Sequence, residues 1–312
     1  MTPDFDVVVA GSGIAGLSAA LTSARLGRKT LVLTGDILGG QLLSINKIDG
    51  FPGFPEGIAG YDLCPIAQEQ AATAGAEFSA TELKRIAPVE RSWQLAAGDG
   101  TTHVARALII ATGAGLKPLG IPGEERLFGK GVSHCASCDA PLLRGKVAVV
   151  IGGGDSAAQE ALTLAESAAR VVILHRGAAL TAQADYRERV RGNNKIEVRC
   201  NSVAEEILGD AKVTGVRVRD RAGGGADLEA SGVFVYIGLQ PNVGVLEGRV
   251  ALDPDGRIAT DAAMRTGVPG ICAAGAVRSG WPGRAVASAG EGATAAIAVD
   301  RYLGDEGAWS NG

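Results

Sequence analysis

Two copies of one glycine spacing, each set between an apolar strand and a helix, restrict this chain more than any other feature. In the first copy an apolar run from Val7 to Ala10 enters Gly11-x-Gly13-x-x-Gly16, and alanine- and leucine-rich sequence with helical spacing follows. KTLVLTG is then the next apolar strand, completing a βαβ unit. The first glycine makes the turn, the second lets backbone N–H groups approach a pyrophosphate, and the helix N-terminus favours its negative charge. The second copy runs from a strand at Val147 to Ile151 through Gly152-x-Gly154-x-x-Ala157 into a helix and a strand ending near Leu174. One glycine of this kind can serve only to let a helix pack close to a parallel strand. Two copies flanking a C-x-x-C pair point instead to two dinucleotides.

The connections between these units set the domain order. In ARALIIATGAGLKPLGIPGE a strand at Leu108 to Ile110 ends in Ala-Thr-Gly, and the Pro/Gly-rich stretch after it reads as a crossing between domains. A matching exit occurs at GVFVYIGLQPNVG, where a strand ends in Gly238 and reaches Pro241. The chain then returns through GICAAGAVRSGWPGRAVASAGEG to a short strand, glycines and a long alanine-rich helix. The second unit therefore reads as inserted into the first. The expectation is an α/β fold of two dinucleotide-binding, Rossmann-like domains: an outer one at 1–115 plus 244–312, and an inner one at 116–243. A chain of 312 residues is long enough for two cores.

SHCASCDAP places Cys135 and Cys138 in the inner domain, followed at once by Asp139. Such a pair can hold a metal, staple a loop, or open and close as a redox disulfide. Five cysteines in a chain this long make no disulfide framework, and a reducing compartment fits them better. Structural zinc wants four ligands, and there is no second pair; His103, His134 and His175 stand at unrelated places. No metal is expected. Cys64, Cys200 and Cys272 read as packing residues. A net charge of -4 with no basic run offers no footprint for nucleic acid or an anionic membrane. No window is apolar enough for a membrane span, and the N-terminus lacks a signal-peptide pattern, so a cytoplasmic protein is expected.

The whole chain resembles the low-molecular-weight, bacterial-type thioredoxin reductases of the pyridine nucleotide-disulfide oxidoreductase class. The resemblance rests on Gly11-Ser-Gly-Ile-Ala15-Gly16, GGQLLSINKIDGFPGFPEGIAG, Ala111-Thr112-Gly113, CASCDA, GGGDSAAQEA, YIGLQPN and the late AAG ending in Gly275, in the family's order. It implies FAD in the outer domain and a nicotinamide dinucleotide in the inner one. Gly11, Gly13, Ala15 and Gly16 would lie at the pyrophosphate, Gln41 and Asn46 near the flavin, with Ala111, Thr112, Gly113, Gly275 and Ala285 also in the FAD site. Gly152, Gly154, Asp155 and Ser156, with His175 and Arg176, would hold the nicotinamide nucleotide. The resemblance makes Cys135–Cys138 the redox pair, with Cys138 facing the flavin and Cys135 attacking the substrate disulfide. Asp139 is expected to donate and retrieve protons for the two sulfurs, its plainer alternative being a helix cap. His134 reads as a polar residue beside the turn. Thioredoxin or a similar small disulfide protein is the implied partner, and a homodimer the implied assembly.

Three departures bear on function. The family reads the 2'-phosphate of NADPH through a histidine and several arginines; here Gly177 and Thr181 stand where arginines are expected. Losing two charge-assisted contacts would weaken NADPH by about two to four decades. No acidic residue ends that strand to hold an NADH 2'-hydroxyl, and Arg176 favours the phosphate. Ala276 replaces an aspartate expected at the ribityl chain, and Arg284-Ala285 replaces arginine-glutamine, beside an unusual Trp281-Pro282. An NAD(P)H-dependent disulfide reductase is the main expectation. The alternatives are an oxygen-using dithiol oxidase, a ferredoxin-fed reductase, or a non-catalytic redox sensor.

Overall fold

The computed structural model describes residues 2–220 and 223–305. The chain divides into two compact units, Met1–Gly115 with Gln240–Gly312, and Leu116–Leu239. The return to the first unit comes at Gln240, four residues ahead of the expected 244.

The outer unit opens with β1 (Phe5–Ala10), α1 (Ile14–Arg25) and β2 (Thr30–Leu33), followed by α2 (Gly60–Thr73) and β3 (Glu77–Ser79). Next come β4 (Leu83–Val89), β5 (Ser92–Ala97) and β6 (Thr102–Ile110). The sheet order is β3-β2-β1-β6-β5-β4, with β1, β2 and β3 parallel, β1 parallel to β6, and β4 and β5 antiparallel. The reason β1 reads as an unbroken apolar run is that both its faces are covered. Val7 and Val9 pack with α1 and the C-terminal helix, whereas Val8 and Ala10 join a second core with Leu95, Ile86 and Ile258.

The crossing strand β7 (Ala114–Leu116) leads into β8 (Val132–Ser133) and the short helix α3 (Ala136–Asp139). Then follow β9 (Val147–Gly152), α4 (Asp155–Ser167), β10 (Arg170–Leu174), α5 (Ala184–Gly192) and β11 (Ile196–Arg199). A three-stranded antiparallel sheet, β12 (Ser202–Leu208), β13 (Gly215–Asp220) and β14 (Gly225–Glu229), precedes β15 (Gly232–Tyr236). The parallel sheet has the order β11-β10-β9-β15-β8. Alternation again splits its side chains: Val150 and Ile173 face Ala157, Ala161 and Leu164 of α4, while Val149 and Val172 face Ile207 and Val216 of the antiparallel sheet.

The return strand β16 (Leu239–Pro241) pairs with β7. The outer unit is then completed by β17 (Ile271–Ala273), parallel to the last three residues of β6, and by α6 (Ala285–Gly304). The strand expected at Leu108 to Ile110 is only the far end of β6, whose first half pairs with β5. No helix among the described residues is long and apolar enough to cross a membrane.

Candidate active site

The first glycine turn is shaped by close backbone approach. Gly11 adopts φ +108°, and a Cβ there would stand 2.3 Å from the Ala111 carbonyl oxygen; one on Gly16 would stand 1.9 Å from the Gly11 oxygen. Gly13 differs: its Cβ position is open, and it caps α1 with no side-chain hydrogen bond. The first-turn N–H groups of α1 are therefore left for a ligand, and no acidic side chain sits in that turn. Gly275 packs on Ala15, where an added Cβ would come within 2.9 Å of the alanine methyl. The loop carrying Gln41 is tied to the turn by Gly39 N–H donating to the Ser12 carbonyl at 3.1 Å. Gln41 and Asn46 are exposed. Thr112 is committed elsewhere, its hydroxyl donating to the Asn242 carbonyl at 2.7 Å while the Asn242 amide donates back to the Thr112 carbonyl at 2.9 Å. This cradle fits a dinucleotide phosphate.

Close to Gly275 the chain has charged groups that sequence reasoning missed. Glu291 of α6 accepts the Gly275 N–H at 2.8 Å and lies 3.6 Å from Nη1 of Arg278, which donates through Nε to Thr260 at 3.3 Å. Burial raises the Glu291 carboxyl. The carbonyl of Ala276 is held by Arg257. Trp281 is half-buried and donates to Ser288 at 2.8 Å, with Arg257 5.7 Å over its ring, so it is anchored within its own unit. Ala285 is the first residue of α6.

The second turn is equally tight but differently furnished. A Cβ on Gly152 would meet the Tyr236 carbonyl oxygen at 2.3 Å, and Gly154 caps α4 with open space around it and no side-chain bond. A strap crosses beside it. Thr181 donates its N–H and hydroxyl to the Gly153 carbonyl at 2.8 and 3.1 Å, and Asp155 accepts from the Gln183 N–H at 2.7 Å and from its amide at 2.9 Å. Thr181 is thus turned onto the glycine turn. The His175 ring fills the space over Gly153 and Gly177, where a Cβ would meet it at 2.2 and 2.6 Å. Ser156 and Arg176 are exposed.

Cys135 and Cys138 are joined by a disulfide, their Cα atoms 5.3 Å apart. The Cys138 N–H points at Cys135 Sγ at 3.3 Å, a donor that favours a thiolate there once the bond opens. Asp139 ends α3 and stands at the N-cap position of the 3-10 turn Ala140–Leu143, though its side chain makes no capping bond there; α3 itself is capped by Cys135. Cys64 and Cys272 are free and buried, and burial pushes the Cys64 thiol up to about 11. Among the described residues no group of three or more His, Cys, Asp or Glu side chains is placed to hold a metal.

Glu160 of α4 is half-buried beside this helix, and burial pushes its carboxyl up to about 7. The fold thus binds this proton more tightly than the unfolded chain, whose carboxyl titrates near 4.5. The contribution is fully present below 4.5 and is lost as pH rises through 7. Glu160→Gln is expected to be stabilising by about 1–3 kcal/mol at pH 8, discounted for water that still reaches the group, with little effect at pH 4.5. Urea unfolding at the two pH values checks this.

The pyridine nucleotide-disulphide oxidoreductase family matches residues 5–292 of this chain. The chain belongs to that family. The thioredoxin reductase of Treponema pallidum is 38% identical over 304 residues, 97% of this chain and 98% of that protein. The crystal structure of Lactococcus lactis thioredoxin reductase aligns with a TM-score of 0.94 at 36% identity, over 97% of this chain and all of that one. A Pseudomonas fluorescens protein named glucosaminate ammonia-lyase is 38% identical over 306 residues, 95% of each chain. As a member of the pyridine nucleotide-disulphide oxidoreductases, the chain is a flavin-dependent disulfide reductase of thioredoxin reductase type, with Cys135–Cys138 as the redox-active centre.

Proposed function

We propose that the enzyme takes electrons from NAD(P)H and delivers them to thioredoxin or a similar small disulfide protein, as a cytoplasmic homodimer. The observation that carries this reading is a bonded C-x-x-C in the same unit as an intact second glycine turn. FAD, held at Gly11, Gly13, Ala15, Gly16, Ala111 and Gly275 of the outer domain, supplies the two-electron relay. Cys138 would be the sulfur that exchanges electrons with the flavin. Cys135, whose sulfur receives the Cys138 N–H, attacks the substrate. Asp139 exchanges protons with the dithiol. Because the protein named ammonia-lyase is as identical to this chain as the reductases are, whole-chain identity does not choose the substrate; the bonded Cys135–Cys138 pair supports a disulfide substrate.

The inner domain binds the nicotinamide nucleotide at Gly152, Gly154, Asp155 and Ser156, with His175 and Arg176 toward the 2'-phosphate. Thr181→Arg keeps the backbone strap and adds a cation, so it is expected to raise NADPH preference over NADH by about tenfold to a hundredfold in kcat/KM. Anaerobic titration with NADPH, NADH and dithiothreitol, following the flavin band, tests the function itself. Bleaching by a nicotinamide supports the reductase. Bleaching by the dithiol alone, with recovery in air, would replace it with a dithiol oxidase.

A further inference from the structure

Tyr236 ends β15 and is buried, with 8% of its surface exposed. Its backbone lies in register with Gly152 of the second turn, while its hydroxyl donates to the His134 carbonyl at 3.2 Å. The Tyr236 hydroxyl oxygen in turn faces the Ala136 N–H. Two strand residues earlier, Phe234 pairs with Ser133, whose hydroxyl accepts the Cys135 N–H at 3.0 Å. One strand therefore grips the residues on both sides of Cys135. The charged groups felt at the tyrosine hydroxyl are Glu160 from α4 and Asp139 from α3; with burial they hold the phenol well above its ordinary range, so it stays a donor.

We propose that Tyr236 is a positioning residue for the Cys135–Cys138 couple, its hydroxyl fixing the backbone around Cys135 so that the Cys138 N–H stays aimed at the Cys135 sulfur. Reduction breaks one S–S bond, takes up two electrons and two protons, and leaves two thiols. A donor held on the Cys135 sulfur lowers that thiol's pKa and favours the reduced form. Without the hydroxyl, the His134 carbonyl loses its partner and the Cys135 thiolate loses support.

The test uses the full-length flavoprotein and its Tyr236→Phe variant, which keeps the ring and its packing. Iodoacetamide labelling of the dithiothreitol-reduced enzyme, read at the Cys135 peptide by mass spectrometry, gives the thiol pH profile. Equilibration in a glutathione redox buffer gives the disulfide fraction. The variant is expected to label Cys135 about threefold to tenfold more slowly at pH 7, with the equilibrium moved toward disulfide by a similar factor. A wild-type profile together with a wild-type equilibrium in a folded variant would overturn the proposal. A second readout does not depend on the variant folding: 3-fluorotyrosine at position 236 should shift its fluorine resonance when the disulfide is reduced, and a fixed resonance counts against the role.

Discussion

Cys138→Ser is expected to cut turnover with a thioredoxin-type disulfide by about a thousandfold or more, while nicotinamide still bleaches the flavin. The bonded pair is the only disulfide among the described residues; Cys64 and Cys272 are buried with raised thiols, and Cys200 follows β11 at the opposite edge of the parallel sheet from β8, the strand that leads to the pair, so no other sulfur is placed to take over. Removing one member of a unit that acts together costs nearly the whole catalytic gain, which sets the size of the loss. The phenotype is also specific. Cys135 can still attack a substrate disulfide, but no neighbouring thiol can resolve the product, so a mixed disulfide should accumulate on non-reducing gels. Cys135→Ser should lose activity equally without trapping the partner. If the partner were trapped by the Cys135→Ser chain instead, the two roles would have to be exchanged.

Gly11→Ala should give a nearly colourless protein. An alanine there takes on a left-handed backbone, costing about 1–2 kcal/mol, and its methyl would stand 2.3 Å from the Ala111 oxygen. The turn has to shift away from β6, and the N–H groups at the start of α1 shift with it. A combined loss of about 3 kcal/mol would weaken FAD by roughly a hundredfold. The inner unit has its own core and does not contain this turn, so the Cys135–Cys138 disulfide should still form. The ratio of flavin to protein absorbance, read beside a thiol count, checks both halves. Wild-type flavin content would show that the cradle tolerates what its geometry forbids.

Much of the frame was legible because its signals are local. A strand buried on both faces has no polar residues to disguise it, and a glycine forced by a 2 Å backbone approach cannot vary its spacing; β1, β9 and both turns were readable for these reasons. What escaped notice depends on long-range partners. Nothing in HRGAALTAQ announces that Thr181 turns back onto Gly153, or that His175 fills the space above Gly177. Glu291 sits in a run of small helix residues with no sign of its bond to Gly275, 16 positions earlier. For Glu160 a signal existed. It stands next to Ala161 and three residues after Ala157, beside the buried stripe of α4, where a carboxylate loses much of its water. Tyr236 was the least accessible, since an aromatic residue in an apolar strand ordinarily means core packing, and only the structure brings its oxygen to His134.

The way the outer sheet closes has a consequence for synthesis. Gly292 of α6 lies so near α1 that a Cβ there would stand 2.0 Å from the Ala15 oxygen, and β17 completes the edge of β6. A ribosome therefore releases the first βαβ unit long before its covering helix exists. At about 5–20 residues per second the wait is on the order of tens of seconds. During that time the contiguous inner unit emerges whole, with the residues of both its cores, while the amino-terminal half-sheet keeps an apolar face uncovered until the last segment emerges.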